Sequence, residues 1–304
     1  MKSLRRLALA ADLVAFAVVI LGSWTRINAA GMTCPDWPMC RGELFPNMSG
    51  GTLWEWTHRL LAFSLAPLIA AVCVVAWRSR VRSSPAAVAS GVVAALFLIQ
   101  VALGAATVRL DNTPLSVVLH WGTAMAVIAA LTAVAIFAHL PEPGAARGTP
   151  PSPRIVLVML GITAVVAFIT MCIGAYVSSS GAGLACLSLP GCAGNVVVYT
   201  PGQVVQMLHR VAAAATLLCA SIAFALTWTR GVASYVRLAA GAGILLVFIQ
   251  VILGLLNVAL RLPTDLREVH AANAALLFLA FVAATAFAAI DSYAPSLPAY
   301  ERPH

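Results

Sequence analysis

Long apolar stretches separated by short polar, Pro- and Gly-containing connections dominate this chain of 304 residues. A helix needs roughly 20 mostly apolar residues to span a bilayer. Because the backbone must satisfy its own hydrogen bonds in lipid, such stretches predict helices. The sequence therefore predicts an all-α integral membrane protein with eight transmembrane helices. The predicted spans are about 7–25, 53–77, 86–108, 115–138, 155–177, 203–228, 238–260 and 268–290.

Composition supports the membrane class, since 62% of residues are hydrophobic and only 9% are charged, with a mean hydropathy of +0.96. A soluble domain carries about a quarter charged residues. The net charge of +8 does not indicate nucleic-acid binding, because the arginines lie in short connections, where they set orientation. The start, MKSLRR, precedes an apolar run without a small-residue cleavage site. We interpret it as a retained first helix of a bacterial plasma membrane protein.

The distribution of Lys and Arg predicts the orientation. With the N-terminus placed inside, the inside segments hold eleven of the 18 Lys and Arg residues. The positive-inside rule therefore favours cytoplasmic N- and C-termini. Trp37, Trp54 and Trp56 would lie near the outer interface, where aromatic side chains are favoured.

An internal repeat divides the chain into two halves. Residues 21–40 align with 173–192, and residues 97–110 align with 247–260, at offsets of 150 to 152. Because each half holds four helices, both halves have the same orientation, as in parallel repeats related by an axis along the membrane normal. We expect two pseudo-twofold-related four-helix bundles, residues 1–140 and 154–304, joined by a cytoplasmic linker at 141–153.

Four of the six histidines obey the repeat: His58 pairs with His209, and His120 with His270. They occupy helices 2, 4, 6 and 8, one to two turns from the outer ends, so the imidazoles lie at similar depth. One pair per half, facing each other across a bundle core, suits the two axial positions of a haem iron. The alternatives are a histidine that simply bonds a neighbour, and a zinc site, which usually needs ligands clustered in one place.

Ionisable residues beside these histidines are further candidates, since intramembrane charges are costly. Arg59 and Arg210 directly follow His58 and His209, where a guanidinium could pair with a haem propionate. The alternative is contact with lipid headgroups. Arg26, Arg109 and Arg261 are weaker candidates of the same kind.

Glu55 marks an asymmetry, because Gln206 occupies the equivalent position of the second half. A carboxylate beside a metal centre could act as an acid or base, or stabilise a developing cation. The alternative is an acid that complements the helix dipole. We therefore expect the N-terminal half to react and the C-terminal half to bind a permanent cofactor.

The outer connections contain two cysteine pairs with the same spacing, Cys34 with Cys40 and Cys186 with Cys192. That compartment permits disulfides, so we expect both pairs to be oxidised. Each disulfide either staples its loop or takes part in redox chemistry.

The chain resembles the haem A synthase family over nearly its whole length. The residues that carry the resemblance are CPDWPMCRG (34–42), WEWTHRLLA (54–62), LHWGTA (119–124), the cysteine loop at 186–192, MLHRVAA (207–213) and VHAANA (269–274). The resemblance implies an enzyme that oxidises the C8 methyl of haem O to a formyl group, making haem A for terminal oxidases.

Site roles follow from the resemblance residue by residue. It implies that His58 and His120 ligate the substrate haem, that His209 and His270 ligate haem b, and that Glu55 is important for the reaction. It also implies two successive hydroxylations, with electrons from a membrane donor, and haem O synthase as a partner. A homo-oligomer and a monomer both stay open.

Two alternatives from other classes use the same residues. A di-haem electron carrier of the cytochrome b type needs the histidine pairs but not Glu55. A haem transporter would need a path for haem, and the eight predicted spans contain no broken pair that suggests alternating access.

Overall fold

The computed structural model describes residues 1–81, 83–139, 151–188, 191–192, 194 and 198–292. These residues form eight helices that are long and apolar enough to span a membrane. The helices are α1 (Lys2–Ile27), α2 (Gly51–Arg78), α3 (Ser84–Arg109), α4 (Pro114–Phe137), α5 (Arg154–Ser179), α6 (Pro201–Thr229), α7 (Ser234–Ala259) and α8 (Thr264–Ser292). A short 3-10 helix, Ala182–Leu184, lies in the second cysteine loop.

The predicted fold class is confirmed: the protein is an all-helical, multi-pass membrane protein. Within the described ranges no β-strand forms, and the bridge between Cys40 and Glu43 is isolated. The helices exceed the predicted spans at most ends, because polar residues that lie beyond the apolar core continue the helical hydrogen bonding. The largest addition is at α1, which begins at Lys2 and not at residue 7, and α8 begins four residues before its predicted start, at Thr264.

Local signals at the helix starts explain where several helices begin. The Ser83 side chain accepts a hydrogen bond from the Ala86 N–H at the start of α3. Thr200 and Gln203 form a capping box at the start of α6. Each of these bonds satisfies a backbone N–H that the first helical turn leaves without a partner.

Each set of four helices closes into a ring. In the first half α1 packs against α2 and α4, α3 packs against α4, and α2 packs against α3; α5 to α8 repeat this order. This order of neighbours places α2 diagonally across from α4, and α6 diagonally across from α8. The two rings meet where α4 packs against α5 and α8, and where α1 packs against α8.

The tight turns after α3 and α7 repeat the same geometry. Asp111 and Asn112 have positive φ angles of 51° and 53°, and Arg261 and Leu262 have 62° and 61°. These turns require a close approach to the cysteine loops. A Cβ on Gly183 would lie 2.8 Å from the Leu262 side chain, so only glycine fits there without displacing its neighbour.

The division into halves at 140 and 154 stays a prediction. Residues 141–150 of the predicted linker, Pro190 of the aligned loop and the C-terminal His304 all lie outside the described residues. His139, which lies outside the repeat, follows α4 and is exposed.

Candidate functional site

His58 and His209 are held in the same way, one in each half. The Nδ1 atom of His58 lies 3.0 Å from the carbonyl oxygen of Val18 on α1. The Nδ1 atom of His209 lies 3.2 Å from the carbonyl oxygen of Thr170 on α5. A carbonyl partner makes Nδ1 the protonated nitrogen, which leaves the Nε2 lone pair of each ring for a metal.

A glycine on the preceding helix lies under each of these two rings. A Cβ on Gly22 would be 2.7 Å from Cε1 of His58, and a Cβ on Gly174 would be 2.8 Å from Cε1 of His209. Real Cβ atoms do not approach that closely, so the imidazoles lie directly on the backbones of α1 and α5. These two glycines therefore fix the position of both rings.

His120 and His270 pack against a glutamine on the preceding helix. The Gln100 side-chain nitrogen lies 3.1 Å from Nδ1 of His120, and the Gln250 side-chain nitrogen lies 3.1 Å from Nε2 of His270. Asn273 donates to the Gln250 carbonyl oxygen at 2.7 Å, which orients that amide. The amide groups thus position the second ring of each pair.

The helix order brings His58 and His120 to the interior of one ring from diagonal helices, and His209 and His270 to the interior of the other. Within each pair, the imidazoles are close enough to interact electrostatically. All four rings are half-buried, and among the described residues the buried Nδ1 of His270 has no hydrogen-bond partner. The Gln100 amide lies 3.1 Å from Nδ1 and 3.4 Å from Nε2 of His120. Histidines on facing helices fit the two axial positions of a haem iron. Ligation itself stays a prediction.

Glu55 and Arg59 form a buried ion pair, one turn apart on α2. Arg59 Nη2 lies 2.6 Å from Glu55 Oε1. The other carboxylate oxygen, Oε2, accepts hydrogen bonds from the Cys34 N–H and the Thr33 hydroxyl, both at 2.9 Å. Because the carboxylate bonds to the loop and to Arg59, Glu55 does more than complement the helix dipole.

The Arg59 guanidinium also binds the backbone of the first cysteine loop. It donates to the carbonyl oxygens of Asp36 at 2.6 Å, Met39 at 2.7 Å and Cys34 at 2.8 Å. Arg59 is 7% exposed, so its guanidinium is not placed among lipid headgroups. Its role towards a haem propionate stays a prediction.

The second half repeats this arrangement with Gln206 in place of Glu55. The Cys186 N–H donates to Gln206 Oε1 at 2.5 Å, and Gln206 Nε2 donates to the Gly183 carbonyl at 2.8 Å. Arg210 donates to three loop carbonyls, of Cys186, Ser188 and Gly191, at 2.7 to 2.8 Å. Its role towards a propionate also stays a prediction.

Both expected disulfides are present. The Cα atoms of Cys34 and Cys40 are 4.6 Å apart, and those of Cys186 and Cys192 are 4.5 Å apart. Among the described residues, no group of three or more His, Cys, Asp and Glu side chains comes together as a metal cluster.

The Asp36 side chain forms hydrogen bonds within the first cysteine loop. Its carboxylate accepts hydrogen bonds from the backbone N–H groups of Gly42, at 2.7 Å, and Arg41. These N–H groups, with a contribution from the Arg59 charge, hold the pKa of Asp36 below its usual range. The loop is thus organised by a carboxylate that stays ionised at neutral pH.

Sequence comparison identifies the family. A family model described as cytochrome oxidase assembly protein matches residues 5–51 and 47–282, which is most of the chain. The chain belongs to this family of cytochrome oxidase assembly proteins.

Relatives within the assembly family carry a common name, heme A synthase. One from Bacillus licheniformis is 27% identical over 91% of this chain and 93% of its own length. One from Shouchella clausii is 31% identical over 75% and 76%, and one from Shewanella oneidensis is 27% identical over 87% and 90%. These matches confirm the resemblance that the sequence motifs carry.

Two groups of site residues in this assembly protein were missed by sequence reasoning: the glycines under the histidine rings, and the glutamines beside His120 and His270. The sequence contained a signal for these residues, because Gln100 and Gly104 align with Gln250 and Gly254 in the repeat. A Cβ on Gly104 or Gly254 would lie 3.1 or 3.3 Å from the imidazole beside it. Four-residue spacing places each Gln and Gly on one helix face.

Proposed function

We propose that this protein is a haem A synthase, an oxidoreductase that converts the C8 methyl of haem O to a formyl group and so produces haem A. Successive hydroxylations give an alcohol and then a geminal diol, which loses water to form the aldehyde. The observation that carries the proposal is the asymmetry between two matched sites: both have a diagonal histidine pair, but only the first has a carboxylate, Glu55, beside it.

In this proposal the substrate haem O binds between His58 and His120 in the N-terminal half, residues 1–140. Their rings rest on Gly22 and Gly104. His58 Nδ1 donates to the Val18 carbonyl oxygen, and the Gln100 amide donates to Nδ1 of His120, so both rings are held in orientation. The bond to Val18 fixes the tautomer of His58 and would leave Nε2 to bind the iron of the substrate.

In the C-terminal half, residues 154–304, His209 and His270 would hold haem b. Two neutral imidazoles are suitable axial ligands, and a haem held there would supply one-electron transfer. Thr170 and Gln250 orient these rings, as Val18 and Gln100 do in the other half. In this half Gln206 stands where the first half has the carboxylate of Glu55, so we assign no chemistry on the porphyrin to the second site.

Glu55 holds negative charge at the edge of the N-terminal site. With Oε1 on Arg59 and Oε2 on the cysteine loop, the carboxylate is fixed in place. A fixed charge stabilises positive charge that develops on the methyl carbon during oxidation without reorganising. This geometry favours electrostatic stabilisation over proton transfer as the role of Glu55.

The setting proposed for the protein is the bacterial plasma membrane. Both termini would face the cytoplasm, with the cysteine loops and both histidine pairs near the outer face. Haem O synthase would deliver the substrate, and a donor in the membrane would supply electrons.

The alternative is a di-haem electron carrier, which the closely matched geometry of the two histidine pairs favours. Haems extracted from cells that coexpress the protein with a source of haem O distinguish the two functions. Mass analysis should find hydroxymethyl or formyl haem with the intact protein and lose it with His58→Ala. A folded, haem b-loaded protein that leaves haem O unchanged would instead establish the carrier.

A further inference from the structure

A groove between the two halves lies outside both histidine sites. Its volume is about 350 Å³, and we call it the inter-half groove. Its walls come from α1, α2 and α8, and along α1 they extend over eight residues, or roughly 10 Å at 1.5 Å per residue. The lining residues are Ala17, Ile20, Leu21, Trp24, Trp54 and Glu268.

Two polar atoms at this groove are buried without a hydrogen-bond partner. Glu268 is 8% exposed, and its Oε2 accepts a hydrogen bond from Ser23 at 2.8 Å. Its other oxygen, Oε1, and the indole nitrogen Nε1 of Trp24 have no partner in the part of the chain that the structure describes. Buried polar atoms in proteins are nearly always bonded, so an acceptor and a donor that both lack partners at one groove point to a ligand.

Trp24 and Glu268 occur together at only one of the two interfaces that the repeat relates. The repeat places Tyr176 where Trp24 stands and Val118 where Glu268 stands. At that equivalent interface α4 and α5 pack closely, whereas α1 and α8 pack less extensively. The groove and its carboxylate are therefore not general features of the scaffold.

The chemistry of the walls defines the occupant. It must donate a hydrogen bond to the carboxylate and accept one from the indole N–H, and a ring hydroxyl does both. Trp24 and Trp54 meet edge to face, with ring centroids 6.1 Å apart, beside an aliphatic wall that suits a flat apolar body. Arg26 lies close enough to Glu268 to interact with its charge, so charge alone does not select the occupant. A phospholipid phosphodiester has no hydrogen to donate to the carboxylate, whereas a ring hydroxyl has one. We propose that the inter-half groove binds the ring of a lipid-soluble quinol, hydrogen-bonded by Glu268 and Trp24.

This inference rests on the proposed function, which needs a reductant when dioxygen is the oxidant. In each hydroxylation, one quinol, one dioxygen molecule and the methyl group then give one quinone, one water molecule and the hydroxymethyl group. The quinol loses two electrons and two protons, and these enter the water. Glu268 lies on α8 two residues before His270, so a quinol in the groove would contact the helix that carries one histidine of the C-terminal pair.

The test measures binding and does not depend on turnover. The haem-loaded protein in nanodiscs is photolabelled with an azido-quinone, the labelled peptides are mapped by mass spectrometry, and decylubiquinol competes with the label. We expect label on α1 around Trp24 or at the start of α8. Glu268→Leu should weaken competition by decylubiquinol at least about tenfold, because it removes a charged acceptor.

Two further variants make the test specific. Trp24→Phe keeps the ring but removes the donor, and should weaken competition by roughly threefold to tenfold. Tyr176→Phe, at the pseudo-equivalent position, is the matched control and should change nothing. Unchanged haem b absorption in each variant shows that the protein folds; if Glu268→Leu fails this check, Glu268→Gln and Trp24→Phe decide.

Several outcomes would overturn the inference. Label elsewhere, affinity unchanged by both substitutions, or displacement by phosphatidylglycerol as effective as by decylubiquinol would each show that the groove is not a quinol site. Haem A production without labelling at the groove rejects the quinol site alone. Labelling at the groove in a protein that leaves haem O unchanged rejects the proposed function and retains the quinol site.

Discussion

Glu55 and Arg59 are joined by a 2.6 Å ion pair, and both side chains also bond to the backbone of Cys34. One helical turn thus ties the site helix α2 to the first disulfide loop. In the second half Gln206 and Arg210 bond to Cys186 in the same way. The backbone bonding is therefore common to both halves, and the carboxylate charge is what distinguishes the first.

Replacing Glu55 by Gln separates these two contributions. Gln206 shows that an amide oxygen accepts the cysteine N–H, so Glu55→Gln should keep the loop in place. Breaking a buried ion pair costs about 3–5 kcal/mol, and the three carbonyl acceptors of Arg59 should keep the loss in unfolding free energy below that range. We expect haem A output to fall at least about tenfold, which corresponds to about 1.4 kcal/mol of lost transition-state stabilisation.

Haem extraction and mass analysis measure that output, with haem b absorption as the check on loading. Glu43→Gln is the matched control, because Glu43 is an exposed acid of the same loop and its replacement should leave output unchanged. Full haem A output from Glu55→Gln with normal haem loading would mean that Glu55 only holds the loop.

Periodicity and the repeat were sufficient to predict the fold. Apolar length defines a span, and the offset of 150 to 152 aligns the histidines, cysteines and charged residues of both halves. The start of α8 was missed because Asp265 and Arg267 lower its hydropathy while remaining helical. Hydropathy indicates which residues lie in the apolar layer of the membrane, whereas backbone hydrogen bonding determines where the helix ends.

The partners of the site residues were harder to predict. Arg59 follows His58 in the chain, and we expected a propionate or a headgroup beside it. Successive helical residues point about 100° apart, so the guanidinium reaches the cysteine loop while the imidazole packs on Gly22. Sequence proximity to a ligand thus gave no information on the direction of the neighbouring side chain.

Arg59→Lys should loosen the first cysteine loop. The guanidinium donates to three carbonyls and one carboxylate, and an ammonium group cannot reproduce that planar arrangement. We expect reduction of the Cys34–Cys40 disulfide by dithiothreitol to become at least about threefold faster, as a loss of roughly 1 kcal/mol in loop closure would give. Alkylation and mass analysis measure it, and Arg210→Lys should accelerate only Cys186–Cys192. Equal effects on both loops would contradict the assignment.

The hydrogen bonds of Asp36 predict that the stability of the first cysteine loop depends on pH. The N–H groups of Gly42 and Arg41 lower its pKa in the folded loop, so its bonds contribute fully above the usual carboxyl pKa. They are lost as the pH falls through the lowered value. Reduction by a phosphine should therefore be faster for Asp36→Ala than for wild type at neutral pH. The difference should begin to shrink below about pH 4 and disappear once the pH lies below the lowered pKa of Asp36. A difference that persists at low pH would show that the carboxylate charge is not responsible.

Substitutions at Gly22 and Gly174 test whether each half holds its own haem. A Cβ at either position would come within 2.7 or 2.8 Å of the adjacent imidazole. Since Ala favours a helix over Gly by about 1 kcal/mol, any loss must come from the displaced ring. We expect Gly174→Ala to remove at least half of the haem b absorption, and Gly22→Ala to abolish haem A production while haem b is retained. Gly91→Ala, whose Cβ would meet nothing within 4 Å, is the control. Equal loss of haem b from both variants would contradict separate sites.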